Sequence, residues 1–131
     1  MQQAQILAIV VLSGALGALA RFGSVQGATW LWGDRFPFGT LLVNVAGCLV
    51  MGLAAAALPD PHEKTSRTLW LQYGLMDGFL GADTTFSAVS LDTLKQLQQG
   101  DGLLALLNVL ANVTLCLGAV WAGMRLGATI F

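Results

Sequence analysis

Charge is what this chain has least of. Of 131 residues, six are Lys or Arg and seven are Asp or Glu, or 10%, where a soluble domain carries about 25%. So few charges cannot cover a soluble sphere of this size. Cysteine is scarce too: Cys48 and Cys116 both lie inside apolar runs, which excludes a secreted disulfide scaffold and leaves them as apolar packers. A net charge of −1 without a basic cluster excludes a nucleic-acid partner. The lone histidine, His62, sits between charges and reads as a solvated loop side chain. No nucleotide-binding, nucleophile or metal-hydrolase constellation occurs, so the chain is not read as an enzyme. What is abundant is apolar: 56% of residues are hydrophobic and the mean hydropathy is +0.72. The chain reads as a small integral protein of a lipid bilayer.

The few charges divide the chain into spans. Residues 1–20 carry none, Arg35 and Asp60 bracket 24 uncharged residues, and Asp101 and Arg125 bracket 23. A helix needs roughly 20 mostly apolar residues to cross a hydrocarbon core of about 30 Å. The spacing predicts an all-α fold, one membrane domain over 1–131 with four transmembrane helices over about 4–21, 37–58, 69–95 and 102–125. The first is not read as a cleaved signal peptide, since it has no basic leader. Residues 22–36 form a connection with room for a short interfacial turn or helix, and Pro59-Asp60-Pro61 ends the second helix. Trp30, Trp32, Trp70 and Trp121 fall near span ends, as interfacial anchors do.

The third span is interrupted. Its middle, Asp77-Gly78-Phe79-Leu80-Gly81-Ala82-Asp83-Thr84-Thr85-Phe86-Ser87, is poor material for a lipid-facing helix. Irregular backbone at membrane depth is tolerated where protein buries it or it lines a watery cavity, and broken helices build ion sites from freed carbonyls and helix ends. A break near 81–84 is therefore the best functional address. Elsewhere, Thr40 and Asn44 share a face of helix two, and Asn108, Asn112 and Cys116 form a stripe on helix four. No Lys, Arg or His occupies the middle of a span, and the only carboxylates at depth are Asp77 and Asp83.

Two further patterns bear on assembly. With four spans, one side carries Lys64, Arg67 and Arg125 and the other Arg21, Arg35 and Lys95, so the bias that orients most membrane proteins is missing. Chance splits charges evenly often enough; the sharper reading is dual topology, with antiparallel copies paired about a two-fold axis. Small-residue rows (Cys48, Gly52, Ala56 and Ala119, Gly123, Gly127) let helix backbones approach closely. They serve either packing inside the chain or a seam between copies.

Taken in order, three segments resemble one family. Gly14-Ala15-Leu16-Gly17-Ala18-Leu19-Ala20-Arg21-Phe22 resembles the G-x-x-G-A-x-x-R-[YF] signature of the CrcB/Fluc fluoride channels. Phe38-Gly39-Thr40-Leu41-Leu42-Val43-Asn44 with Gly47 resembles their G-T-L-x-V-N-x-x-G segment. Gly78-Phe79-Leu80-Gly81 followed by Thr84-Thr85-Phe86-Ser87 resembles their G-F-x-G-G-x-T-T-F-S core. The likeness covers essentially the whole chain. It implies an antiparallel, dual-topology homodimer with two fluoride pores and a central structural Na⁺ held by the main-chain carbonyls of Gly81 and Thr84 from each copy. It further implies a pore asparagine at Asn44, a pore phenylalanine at Phe86, and a polar track including Ser87, Thr40, Asn108 and Asn112. Arg21 matches the family's first-helix arginine and is expected near a pore mouth.

Three departures stand out. Val89 replaces the second pore phenylalanine, Ala82 replaces the second glycine of G-G, and Asp83 stands where an apolar residue is expected. A carboxylate near an anion path must pair, protonate or face elsewhere. Asp92 stands where many members have glutamate. The resulting expectation is a passive fluoride channel in the plasma (inner) membrane of a prokaryote, exporting cytoplasmic fluoride and conferring fluoride resistance. The alternative is a small multidrug-type proton-coupled antiporter, also four-helix and dual-topology. That chemistry needs a carboxylate in the first helix, and residues 1–20 contain none.

Overall fold

The structure is a computed structural model that describes residues 2–58 and 65–131. The expected loop residues His62 and Lys64, and the Pro59-Asp60-Pro61 stop, lie outside the described residues. All described elements are helical: α1 (Gln2–Trp32), α2 (Phe38–Ala57), α3 (Ser66–Leu69), a π-helical stretch (Trp70–Leu80), α4 (Gly81–Asp83), α5 (Phe86–Gln98) and α6 (Gly102–Ile130). Three of these, α1, α2 and α6, are long and apolar enough to cross a membrane. The passage from Ser66 to Gln98 is divided into short pieces, as its glycines, carboxylates and hydroxyls led us to expect.

The first helix is longer than the expected span. It runs through Arg21 and residues 22–32, which the charge spacing had assigned to a connection. At about 1.5 Å per residue, its 31 residues outreach the hydrocarbon core. Nothing in 22–32 stops a helix: there is no proline, and Gly23 and Gly27 cost little in comparison. Termination falls to Gly33, which adopts φ +78° and whose N–H closes onto the Thr29 carbonyl at 2.8 Å. Only glycine takes that conformation without a Cβ penalty. Residues 34–37 turn the chain, and Phe38 packs its ring on Phe36 at 4.7 Å between centroids. The Pro37 carbonyl accepts from Leu41 N–H at 3.1 Å to start α2. At the other end Leu58 is extended, as the residue before a proline prefers.

Helices α2 and α6 run parallel, side by side, and the small-residue rows are the reason they can. A Cβ on Gly52 would run into the Val120 carbonyl, and one on Gly123 into that of Leu49. Gly127 is similarly filled by the Ala56 methyl. Of the two uses open to these rows, they serve packing within the chain. Gly17 on α1 takes the same kind of contact from the Phe79 carbonyl, while Ser13 lies against Gly78. α1 thereby docks along the π-helical stretch, also in parallel. Close backbone approach of this kind is how helices associate where water supplies no driving force.

Little of the molecule is buried. The core is a thin seam that includes Val43, Ala54, Leu80, Val89 and Ala105, together with the polar residues Thr40, Asn44, Asn108 and Asn112. Large apolar side chains such as Leu7, Val11, Leu16, Leu103 and Leu117 point outward, a surface made for lipid or for another chain rather than for water. All four tryptophans are exposed, with Trp30 the most open.

Candidate functional site: the helix break and its amide chain

The interruption lies at Thr84–Thr85. Both residues are extended, with Thr84 at φ −82°, ψ 143° and Thr85 at φ −152°, ψ 121°. Two hydroxyls cap the broken ends. Thr84 Oγ1 donates to the Leu80 carbonyl at 2.8 Å, closing α4. Thr85 Oγ1 accepts from Ala88 N–H at 3.4 Å, the standard service of a threonine N-cap. In an unbroken helix the Gly81 carbonyl would accept from Thr85 N–H, and the Thr84 carbonyl from Ala88 N–H. Both donors are spent elsewhere. The Gly81 and Thr84 carbonyls therefore lose their helical partners through the chemistry of the two threonines that follow.

Thr85 N–H is taken by α2. Asn44 Oδ1 accepts it at 2.8 Å, and Asn44 Nδ2 donates back to the Thr85 carbonyl at 3.3 Å. The side-chain amide thus grips both polar groups of one residue, as a neighbouring strand would. The N–H donor also decides which way the Asn44 amide faces. Its second Nδ2 hydrogen goes to Asn112 Oδ1 at 3.0 Å. Asn112 Nδ2 in turn donates to the Asn108 carbonyl and Oδ1, at 2.9 and 3.0 Å. Asn108, with no exposed surface, donates to Thr93 Oγ1 at 2.9 Å and to the Val89 carbonyl at 3.4 Å. Thr93 closes the chain by donating to the Val89 carbonyl at 2.7 Å. One continuous line of buried amides joins the break to α2, α6 and α5.

Beside this line runs a groove of about 350 Å³, walled by Asn44, Thr84, Thr85, Phe86, Val89 and Asn112 among others. Phe86, 76% exposed, stands at its edge. Ser87 is exposed, its hydroxyl 2.8 Å from that of Thr85. Those two hydroxyls share a single contact, so one hydrogen remains free to meet an acceptor.

The residues singled out by sequence thus fall into groups. Asn44, Asn112, Val89 and Phe86 share the groove; Asn108 lies behind it as the anchor of the amide chain; Ser87 adjoins the N-cap. Thr40 lies one turn from Asn44, where its hydroxyl approaches Asp92 Oδ2 at 3.5 Å. These two line a polar cavity of about 370 Å³ with Asp34, Arg35, Lys95 and Gln96. Arg21 is half-buried on α1, and its guanidinium opposes the Asp83 carboxylate electrostatically.

Sequence reasoning passed over Thr93 and the pairing role of Thr85. The signal for Thr85 was its place at the start of a helical run; Thr93 carried none apart from its spacing of four from Val89. The π-helical stretch was not anticipated either. Such i→i+5 segments are rare and gather at functional sites, and this one leads into the break.

Comparison with known proteins decides the family. The model for "CrcB-like protein, Camphor Resistance (CrcB)" matches residues 8–124. The chain belongs to the CrcB family. Among CrcB-like relatives, a protein of Aeromonas salmonicida (strain A449) named fluoride-specific ion channel FluC is 45% identical over 122 residues, covering 92% of this chain and 94% of the relative. Proteins of the same name from Vibrio parahaemolyticus serotype O3:K6 (strain RIMD 2210633) and Geobacter sulfurreducens (strain ATCC 51573 / DSM 12127 / PCA) are 43% and 46% identical. The first covers 96% of this chain and 97% of the relative, the second 91% and 93%. With three helices among the described residues long and apolar enough to cross a membrane, this CrcB chain is a multi-pass membrane protein.

Proposed function

We propose that this chain is a passive, fluoride-selective channel that exports fluoride from a prokaryotic cytoplasm across the plasma membrane. The observation that carries the reading is the groove beside the break, in a chain similar along nine-tenths of its length to proteins named for fluoride conduction. Fluoride holds its water tightly, so a path must replace hydration with other donors. The Thr85–Ser87 hydroxyl pair offers a free O–H. The ring edge of Phe86 carries the positive part of the quadrupole. Asn44 Nδ2 reaches an anion by releasing the Asn112 or Thr85 oxygen it now serves. Val89 narrows the path without a comparable edge. Thr40 extends the polar track toward the Asp92 end, Asn108 and Asn112 hold it in register, and Arg21, moderated by Asp83, draws anions toward the mouth.

Two finer features belong to the same reading. The first is an antiparallel homodimer with two pores, supported by the even division of basic residues and by the outward apolar surface. A groove open on one side gains its second wall from such a partner. The second is a structural Na⁺ at the centre. The donor set suits a hard cation, which takes oxygen ligands, because the Gly81 and Thr84 carbonyls have lost their helical partners. Bound there, the ion would supply a fixed positive charge that lowers the cost of an anion nearby.

The test is fluoride efflux from proteoliposomes holding only this protein, read with a fluoride electrode. Fluoride is expected to leave faster than chloride, with no dependence on a pH gradient. Equal rates for the two anions overturn the reading, and coupling to a proton gradient would favour an antiporter instead.

A further inference from the structure

Cys48 and Cys116 take part in neither the amide chain nor the caps of the break. Their placement follows from helix register. Asn44 meets Asn112 at 3.0 Å, and two turns on Gly52 meets the backbone at Val120 and Gly123. Cys48 and Cys116 each lie one turn beyond their asparagine, between these two contacts. Residues four apart share a helix face, so the parallel helices present both cysteines to one side of their seam, where they line the same groove. Both are free thiols, both are partly exposed, and both open onto the groove that holds Asn44, Phe86 and Val89. No carboxylate or imidazole lines that groove.

We propose that Cys48 and Cys116 form a two-thiol site for a soft monovalent metal ion of the copper(I) or silver(I) class, and that the bound ion closes the groove to anions. Thiolates select soft ions. Zinc, which completes a tetrahedron of four ligands in structural sites, finds two thiols and amides already engaged with one another. On binding, two S–H bonds break and their protons pass to water, while two S–metal bonds form. The metal stays at +1, so no oxidant or reductant is required. The product carries one negative charge and stands in the groove, where it excludes fluoride by size and by sign. The closing effect rests on the groove being the fluoride path; the metal site itself does not.

Silver nitrate in chloride-free buffer is the probe, applied to the purified full-length chain. After desalting against imidazole, one Ag⁺ per chain is expected, with both cysteines lost to maleimide labelling. Cys48→Ala and Cys116→Ala should each retain about a tenth of that metal or less, and the paired serine variant should behave as the paired alanine one. No retained silver, two ions per chain, or retention by either single variant equal to that of the wild type overturns the site. In proteoliposomes, silver should slow wild-type fluoride efflux at least about tenfold relative to the same preparation without silver, and leave the doubly substituted protein at its own rate. One bound ion with unchanged wild-type efflux overturns the closure. A protein that binds one silver yet never conducts fluoride overturns the channel reading and not the site.

Discussion

Asn44 holds Thr85 by its N–H and its carbonyl while also donating to Asn112. It therefore has two separable duties, accepting and donating, and Asn44→Asp divides them. The aspartate still accepts from Thr85 N–H, but it turns toward the Thr85 carbonyl and Asn112 Oδ1 an oxygen where a donor stood. Leaving buried polar groups unpaired costs about 1–3 kcal/mol. Where the same donor also serves the anion, that loss slows passage by roughly ten- to a hundredfold. Fluoride efflux from proteoliposomes is expected to fall accordingly, and undiminished flux would remove Asn44 from the path. At this scale the sequence showed which residues matter: the spacing of Thr40 and Asn44, and of Asn108, Asn112 and Cys116, marked the polar faces. It did not show what each amide bonds to. An asparagine offers two donors and an acceptor in any setting, and only the neighbouring helix selects among partners.

Helices here meet by their glycines, and the glycines differ sharply in what surrounds them. Gly123 lies against the Leu49 carbonyl and Leu53 N–H of α2, whereas Gly118 on the same helix has no neighbouring atom within 4 Å. Substitutions at the two sites should move stability in opposite directions. Gly123→Leu forces α2 and α6 apart and should cost about 1–3 kcal/mol or more, as overpacking does. Gly118→Ala should be neutral or gain roughly 0.5–1 kcal/mol from lost backbone freedom in the unfolded chain. Thermal unfolding in detergent measures both; equal effects would show that α2 and α6 do not pack through Gly123. The small-residue rows were visible in the sequence, but spacing alone could not say whether they face inward or toward another copy. Nor could it show the π-helical stretch, because i→i+4 and i→i+5 bonding draw on the same apolar residues. The overrun of α1 escaped for a related reason: charge marks where a helix leaves lipid, and Gly33 marks where it ends.

With four spans, as the sequence is read, the six basic residues divide three and three between the two sides, and the proposed dimer depends on that balance. Positive side chains near span ends set orientation, so a small added bias should matter. Gln98→Lys with Gln99→Lys, at the exposed end of α5, loads one end only. The variant should insert predominantly one way, read by labelling a terminal tag from each side of the vesicle, and its fluoride efflux should drop with the supply of oppositely inserted partners. Mixed insertion of the unaltered chain is the matching expectation, and a single orientation there would overturn the antiparallel arrangement.

The sequence by itself determined that this chain belongs in a membrane and that the stretch around residues 81–85 breaks. Those outcomes follow from local quantities: the cost of burying charge, the length needed to cross lipid, and the weakness of glycine, carboxylate and hydroxyl as helix formers. Tertiary structure alone decided that Asn44 clamps Thr85, that α2 and α6 lie backbone to backbone, and that two cysteines 68 positions apart line one groove. The physical reason is that a buried polar group or a missing Cβ creates a demand, and only the packed neighbour determines how it is met.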